Sequence, residues 1–290
     1  NFLLNKYKNA SFTIVTSSIS ASIFENMPQL EELIISNKEK YSLHWLKIWL
    51  RTKSIKWDLI LDLRSSYLAY FLSYKQKMIF KGNNFEHKLK QLKKFIKSPE
   101  EIKPHIWAEK EKYQDINQKK NLSSKYICIA PISNSVVKDW SINNYLALFE
   151  NDLFMNYEIV SLGATSNKQE LDAINHLIKI SNQTINNLIN NANMIETYFI
   201  MKNASLFLGS DSSNMHLAAT ANIPTIGLFG PTDEKLYGPL GKNNLSLRGD
   251  KSFSEIINQL DYKSGEIKSY LNDLSVTKVY IEVERLLNTK

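Results

Sequence analysis

Cysteine is nearly missing. Cys128 stands alone in 290 residues, so no disulfide forms within the chain, and a reducing compartment suits it. The five histidines, His44, His87, His105, His176 and His216, are scattered with no cysteine pair beside them, which argues against a structural zinc centre. No apolar run approaches the ~18 residues that a membrane span needs. The opening stretch, NFLLNKYKNASF, has the pattern of neither a signal nor a transit peptide. The expected location is therefore the cytoplasm. No G-x-G-x-x-G occurs, which sets aside a dinucleotide dehydrogenase, and no Asp-x-Asp metal motif occurs either. Acidic residues are outnumbered, 29 against 36 Lys and Arg, for a net charge of +7. That balance favours acidic partners, although a chain so rich in Lys, Asn and Ile also carries basic charge through composition alone. Nucleic acid is not the expected partner, because the tryptophans and tyrosines form no basic stacking stripe.

What is present is an alternation of strands and helices. Residues 2–8 read as the tail of a helix, 12–16 (FTIVT) as a strand, 21–26 as a helix and 32–35 as a strand. Residues 57–63 (WDLILDL) form a continuous apolar run of the kind buried on both faces of a parallel sheet. A helix is predicted over 66–74 and a strand over 78–80. The order is that of an α/β layer fold, but it opens inside a helix, so a strand and loop are expected upstream of Asn1. Residues 86–97 predict an amphipathic, Lys-rich helix with Leu89, Leu92 and Ile96 on one face. It reads either as a surface for an acidic acceptor or membrane, or as a solvated helix packed on its own domain, and the second is favoured. A polar linker is expected over 98–124. A second series follows, with strands at 126–130, 157–162, 206–209 and 225–229, helices at 142–151, 167–180, 195–203 and 214–221, and a closing helix at 277–287.

The rare glycines cluster. Only nine occur, and five of them, Gly209, Gly227, Gly230, Gly238 and Gly241, lie within 33 residues alongside Pro224, Pro231 and Pro239. Such concentration points to unusual backbone or close ligand approach. Here a strand runs into Gly209-Ser210-Asp211-Ser212-Ser213, and a helix capped by Ser212 or Ser213 begins. A strand, a small polar turn and a helix N-terminus make a ready anion site, and His216 lies one turn further on. A second loop, Pro131-Ile132-Ser133-Asn134-Ser135 with Lys138, leaves the 126–130 strand at the end where open α/β sheets bind ligands. Lysine there suits phosphate, and Ser141 is the expected cap of the next helix.

Asp211-Ser212-x-x-x-His216-Leu217-Ala218-Ala219, with Pro224-Thr225 and Leu228-Phe229-Gly230-Pro231-Thr232-Asp233, resembles the heptosyltransferases of glycosyltransferase family 9. Residues 131–140 and 57–63 resemble the same family's first phosphate loop and an N-domain strand. The resemblance implies an α/β GT-B architecture: two Rossmann-like domains facing a central cleft, here without the first strand. It implies an incomplete acceptor-side domain at 1–121, a nucleotide-sugar domain at 122–275 and a helix at 276–290 crossing back to the first. It also implies inverting transfer of a heptose from an ADP-sugar to a lipopolysaccharide inner core, at the inner face of the cytoplasmic membrane, with no metal and no cofactor. Ser133, Asn134 and Lys138 would hold the donor from one side; Asp211, Ser212, Ser213 and His216 would line the other. Three departures stand out. Ser213 replaces the family's glycine. Thr165 is the candidate ribose contact where the family has an acidic residue, with Asn167 and Glu170 nearby. The family's Asp base would lie upstream of Asn1. A degenerate, non-catalytic nucleotide-sugar-binding protein is the alternative, and a sugar-nucleotide 2-epimerase ranks lower.

Overall fold

The computed structural model describes residues 1–264 and 268–289. The chain forms two compact units, Asn1–Glu109 and Lys110–Lys290. The first contains two separate pairs of parallel strands. β1 (Phe12–Thr16) pairs with β2 (Leu30–Ile35), and β3 (Lys56–Asp62) pairs with β4 (Ser73–Ile79). Its main helices are Leu43–Thr52, which the sequence pattern did not reveal, and Lys88–Ile96, which it did. The side chains of Leu89, Leu92 and Ile96 are half-buried, and Lys93 and Lys94 pair with Glu101 and Glu86. This is the solvated helix packed on its own domain.

The helix expected over 66–74 does not form. After β3 the Asp62 carboxylate accepts the amides of Arg64 at 2.8 Å and Ser66 at 2.6 Å, together with the Ser66 hydroxyl. Ser65 takes a left-handed φ of 53°. This side-chain turn competes with helix initiation. What remains is the 3-10 turn Leu68–Tyr70, and β4 claims the chain from Ser73.

The second unit holds a six-stranded, all-parallel sheet in the order β10-β9-β8-β5-β6-β7. The strands are β5 (Tyr126–Ala130), β6 (Glu158–Ser161), β7 (Ile185–Asn187), β8 (Leu206–Ser210), β9 (Thr225–Phe229) and β10 (Asn244–Arg248). β5, β6, β8 and β9 are buried at every position, as the apolar centres of strands covered on both faces require. The unit begins earlier than the predicted 122, because Ile116 is buried and Tyr113 stacks on Phe199 with ring centroids 4.7 Å apart. In the closing helix, Val276–Asn288, the apolar stripe of Val279, Val283 and Leu286 joins the core that contains Ile127, Leu208 and Leu228. Lys290, the end of the predicted segment, lies outside the described residues. Among the described residues no helix is long and apolar enough to cross a membrane.

Candidate functional site

The order of the second sheet places the site. From β5 the chain winds outward through β6 and β7, then returns to β8 beside β5 and winds the other way through β9 and β10. The reversal lies between β5 and β8, which pair from Ile127↔Leu206 to Ala130↔Gly209. Ligands of open α/β sheets bind at the carboxyl ends of the strands flanking such a reversal. The two loops singled out in the sequence emerge there.

The first loop, 131–140, is short and tied down. The Ser135 amide donates to Ser133 Oγ at 3.2 Å, and Val136–Lys138 makes one 3-10 turn. Trp140 is buried and donates its indole N–H to Leu274 O at 3.0 Å. Tyr270 N–H donates to Val137 O at 3.1 Å, and the Ser269 hydroxyl to Asp139 O. The fixed backbone delivers Lys138, whose ammonium lies 3.1 Å from Asp211 Oδ2. Burial pushes the Asp139 carboxyl up to about 6, against the hydrogen bonding of Ser133 that pulls it down. Its Oδ1 has no hydrogen-bond partner. Asn134 is exposed at the loop tip.

The second loop carries Asp211, itself buried, into the helix Ser213–Ala221. Ser212 is the N-cap residue, but its side chain makes no capping bond, and its Oγ is buried without a partner. Ser213 is the first helical residue and is exposed. His216 Nε2 lies 3.7 Å from Asp211 Oδ1. The helix sits close to the sheet because Gly227 of β9 has no side chain: a Cβ there would run into the Met215 sulfur. The helix N-terminus, with its unpaired amides and positive dipole end, is thereby held over the strand ends. Three buried hydroxyls of this region, Ser210, Ser212 and Thr232, have no hydrogen-bond partner within the protein, so their hydrogen-bonding capacity is open to water or ligand.

Lys138, Asp211 and His216 are thus brought together, with Ser212 and Ser213 at the adjoining helix start. Thr165 lies in the loop after β6. Its backbone exchanges bonds with the Asn190 side chain at 2.9 and 2.8 Å, and its hydroxyl accepts the Asn167 amide at 3.0 Å, so the structure gives it a turn-forming role. Sequence reasoning missed Arg248. From the end of β10 its guanidinium grips the carbonyls of Gly230 and Thr232 and the Glu234 carboxylate, shaping the loop after β9. The cluster of Gly230 and Pro231 marked that loop, but nothing in the sequence linked it to an arginine about eighteen residues away. Cys128 is fully buried, and burial pushes its thiol above the usual range, so it supplies no thiolate at neutral pH.

Residues 52–259 match the family model of glycosyltransferase family 9 (heptosyltransferase). Lipooligosaccharide heptosyltransferase 2 of Campylobacter jejuni is 28% identical over 253 residues, covering 83% of this chain and 78% of that protein. Among solved structures, a glycosyl transferase of family 9 from Veillonella parvula superposes with a TM-score of 0.78 at 19% identity, covering 100% of this chain and 92% of that one. The E. coli heptosyltransferase WaaC, solved with ADP, gives 0.69 at 16% identity, covering 98% and 92%. The fold class is the α/β, Rossmann-like GT-B type.

Proposed function

Because the chain belongs to glycosyltransferase family 9, we propose that it moves a heptose, or a closely related sugar, from an ADP-sugar to a lipopolysaccharide inner-core acceptor, with inversion at the anomeric carbon and without a metal ion. In this reading the second unit takes the donor and the first unit the acceptor, in the cytoplasm at the membrane's inner face. The observation that carries it is the meeting of Lys138, Asp211 and His216 at the reversal of the sheet.

The chemistry follows from where charge grows. As the bond between the anomeric carbon and the diphosphate breaks, negative charge collects on the leaving phosphate. Lys138 supplies a point charge, and the Ser213–Ala221 helix supplies amides and a dipole already oriented. The unpartnered Ser210, Ser212 and Thr232 hydroxyls are donors of the same kind. Asp211 holds Lys138 in place until the diphosphate arrives. Ser133 and Asn134 lie in the lysine's own loop, and Thr165 would reach the ribose from the end of β6. Each such preorganised donor contributes ~10²–10³ in rate.

Calorimetry with ADP tests the site. Lys138→Ala should weaken ADP at least tenfold, about 1.4 kcal/mol, with the circular dichroism spectrum unchanged. Equal affinity in the variant would overturn the assignment. Transfer from ADP-heptose to lipopolysaccharide core then separates an enzyme from a non-catalytic binder, which would bind ADP and transfer nothing.

A further inference from the structure

A nearly buried arginine holds the loop after β9. β9 lies between β8 and β10, and its Phe229 pairs with Arg248, the last residue of β10. Residues 230–234 therefore leave the sheet at the same carboxyl end as the Asp211 turn, where the Asp211 amide donates to Leu228 O at 3.1 Å. Into this loop Arg248 sends a side chain only 11% exposed. Its Nη1 donates to Gly230 O, its Nη2 to Thr232 O and to Glu234, and its Nε to Glu234 Oε2 at 3.1 Å. Four of the five guanidinium N–H groups are thus spent on the loop. An arginine beside an anion site ordinarily serves as a ligand. This one has its fork occupied, so it acts through what it holds.

Both sides of this arrangement are fixed. The Arg248 carbonyl accepts the Lys278 ammonium at 2.7 Å, and the amides of Asp250 and Lys251 donate to the Asp273 carboxylate at 3.1 Å each. Burial pushes the Glu234 carboxyl up, but the Arg248 guanidinium outweighs it and holds the group below the usual carboxylate range. The pair therefore stays ionised at neutral pH. On its far side the loop rests on Tyr270 and Leu271, for a Cβ at Gly230 would come within 2.9 Å of Leu271 Cδ1. Tyr270 in turn donates its amide to Val137 O in the Lys138 loop. The loop that bears Thr232 and the loop that bears Lys138 thus share one support. What the first of them presents is the Thr232 hydroxyl, buried with no hydrogen-bond partner among the described residues, at the end of the sheet where Ser210 and Ser212 are in the same condition.

We infer that Arg248 is a positioning residue of the donor site: by fixing the carbonyls on either side of Pro231, it aims the Thr232 hydroxyl at the diphosphate of a nucleoside-diphosphate donor. The hydroxyl donates and a phosphate oxygen accepts; neither residue makes or breaks a covalent bond. A buried hydroxyl without a partner costs the fold free energy, which an anionic ligand seated on it recovers. Lysine at 248 would keep the charge, but a point cation cannot hold two carbonyls and a carboxylate at once. The inference rests on the donor reading of the site, and the experiment separates the failure of one from the failure of the other.

Calorimetry on the full chain tests it, with ADP and with adenosine, which lacks the diphosphate. Thr232→Val removes the hydroxyl alone and should weaken ADP about tenfold, as the loss of a hydrogen bond to a charged group does. Its melting temperature should hold or rise, because an unpaired hydroxyl has gone. Arg248→Lys should weaken ADP by a similar factor, and the double variant should be no weaker than Arg248→Lys alone, because both act through one hydroxyl. Should Arg248→Lys fail to fold, Glu234→Gln loosens the guanidinium while leaving both carbonyl bonds. It should weaken ADP about two- to threefold, a loss that vanishes when Thr232 is replaced by valine. Adenosine should bind every variant as it binds the native protein. Equal weakening of ADP and adenosine would mark a merely structural arginine and overturn the inference, as would strictly additive losses. Native ADP affinity in Thr232→Val or Arg248→Lys, beside a weakened Lys138→Ala, would overturn this inference and leave the donor reading standing. A native protein that binds no ADP would overturn both.

Discussion

Asp139 shows how one residue can serve a loop at a cost to stability. Its carboxyl is largely buried at the end of the turn that presents Lys138, and burial raises its pKa from 3.8 to about 6. A carboxyl whose folded pKa exceeds its unfolded one is bound more tightly to its proton in the native state. Its contribution to stability is therefore complete below pH ~4 and is lost as pH rises through 6. Above that, the fold carries a charge it solvates poorly. Asp139→Asn should remove this pH-dependent loss and stabilise the protein at pH 8 by about 1–2 kcal/mol, less than full burial of the charge would cost because the carboxyl is partly exposed. Urea unfolding of both proteins at pH 4 and pH 8 checks it. A variant less stable than the native protein at pH 8 would mean that the carboxylate makes contacts an amide cannot replace.

At the scale of elements, the site depends on how closely the Ser213–Ala221 helix lies on β9. Gly227→Ala places a methyl where the Met215 sulfur and the Phe229 ring already are, and Met215 is fully buried and has nowhere to swing. The overpacking should cost about 1–3 kcal/mol and weaken ADP, because the helix start moves with the helix. Adding Met215→Ala should recover part of both losses, a non-additivity that identifies direct contact; strictly additive losses would count against it. The same elements explain what the sequence disclosed. β5, β6, β8 and β9 have apolar centres between polar turns, and helices beside them begin at side chains that do cap, such as Ser141 and Asn193, so periodicity and capping agreed. The Lys138 and Asp211 loops were legible because hydroxyls, a lysine and rare glycines were placed together at strand ends. The Leu43–Thr52 helix was hidden because it starts at Ser42, which is left-handed and makes no side-chain cap bond, so no start signal marked its apolar period. The 66–74 segment was misread because Asp62, a residue of the preceding strand, closes a turn that local propensity does not reveal. β10 and Arg248 were hidden because their role is long-range.

The whole molecule divides its stability unevenly. Of the buried apolar residues among those described, the first unit supplies five, Ala21, Met27, Ile34, Ile48 and Ala69, and the second unit supplies all the others. Hydrophobic burial is the main favourable contribution to folding, so two units so unequally filled should not melt together. The first should open first, with faster amide exchange throughout its strands. The donor reading adds a direction. A ligand held by β5, β8 and the loops at their ends stabilises only the native second unit, by about 2.7 kcal/mol at a hundred times its dissociation constant. For a unit of this size that is a shift of about 5–10 °C. Scanning calorimetry should therefore show two transitions, the upper moving with ADP and the lower not. A single transition, or an ADP shift confined to the lower one, would contradict the assignment of the donor to the six-stranded sheet.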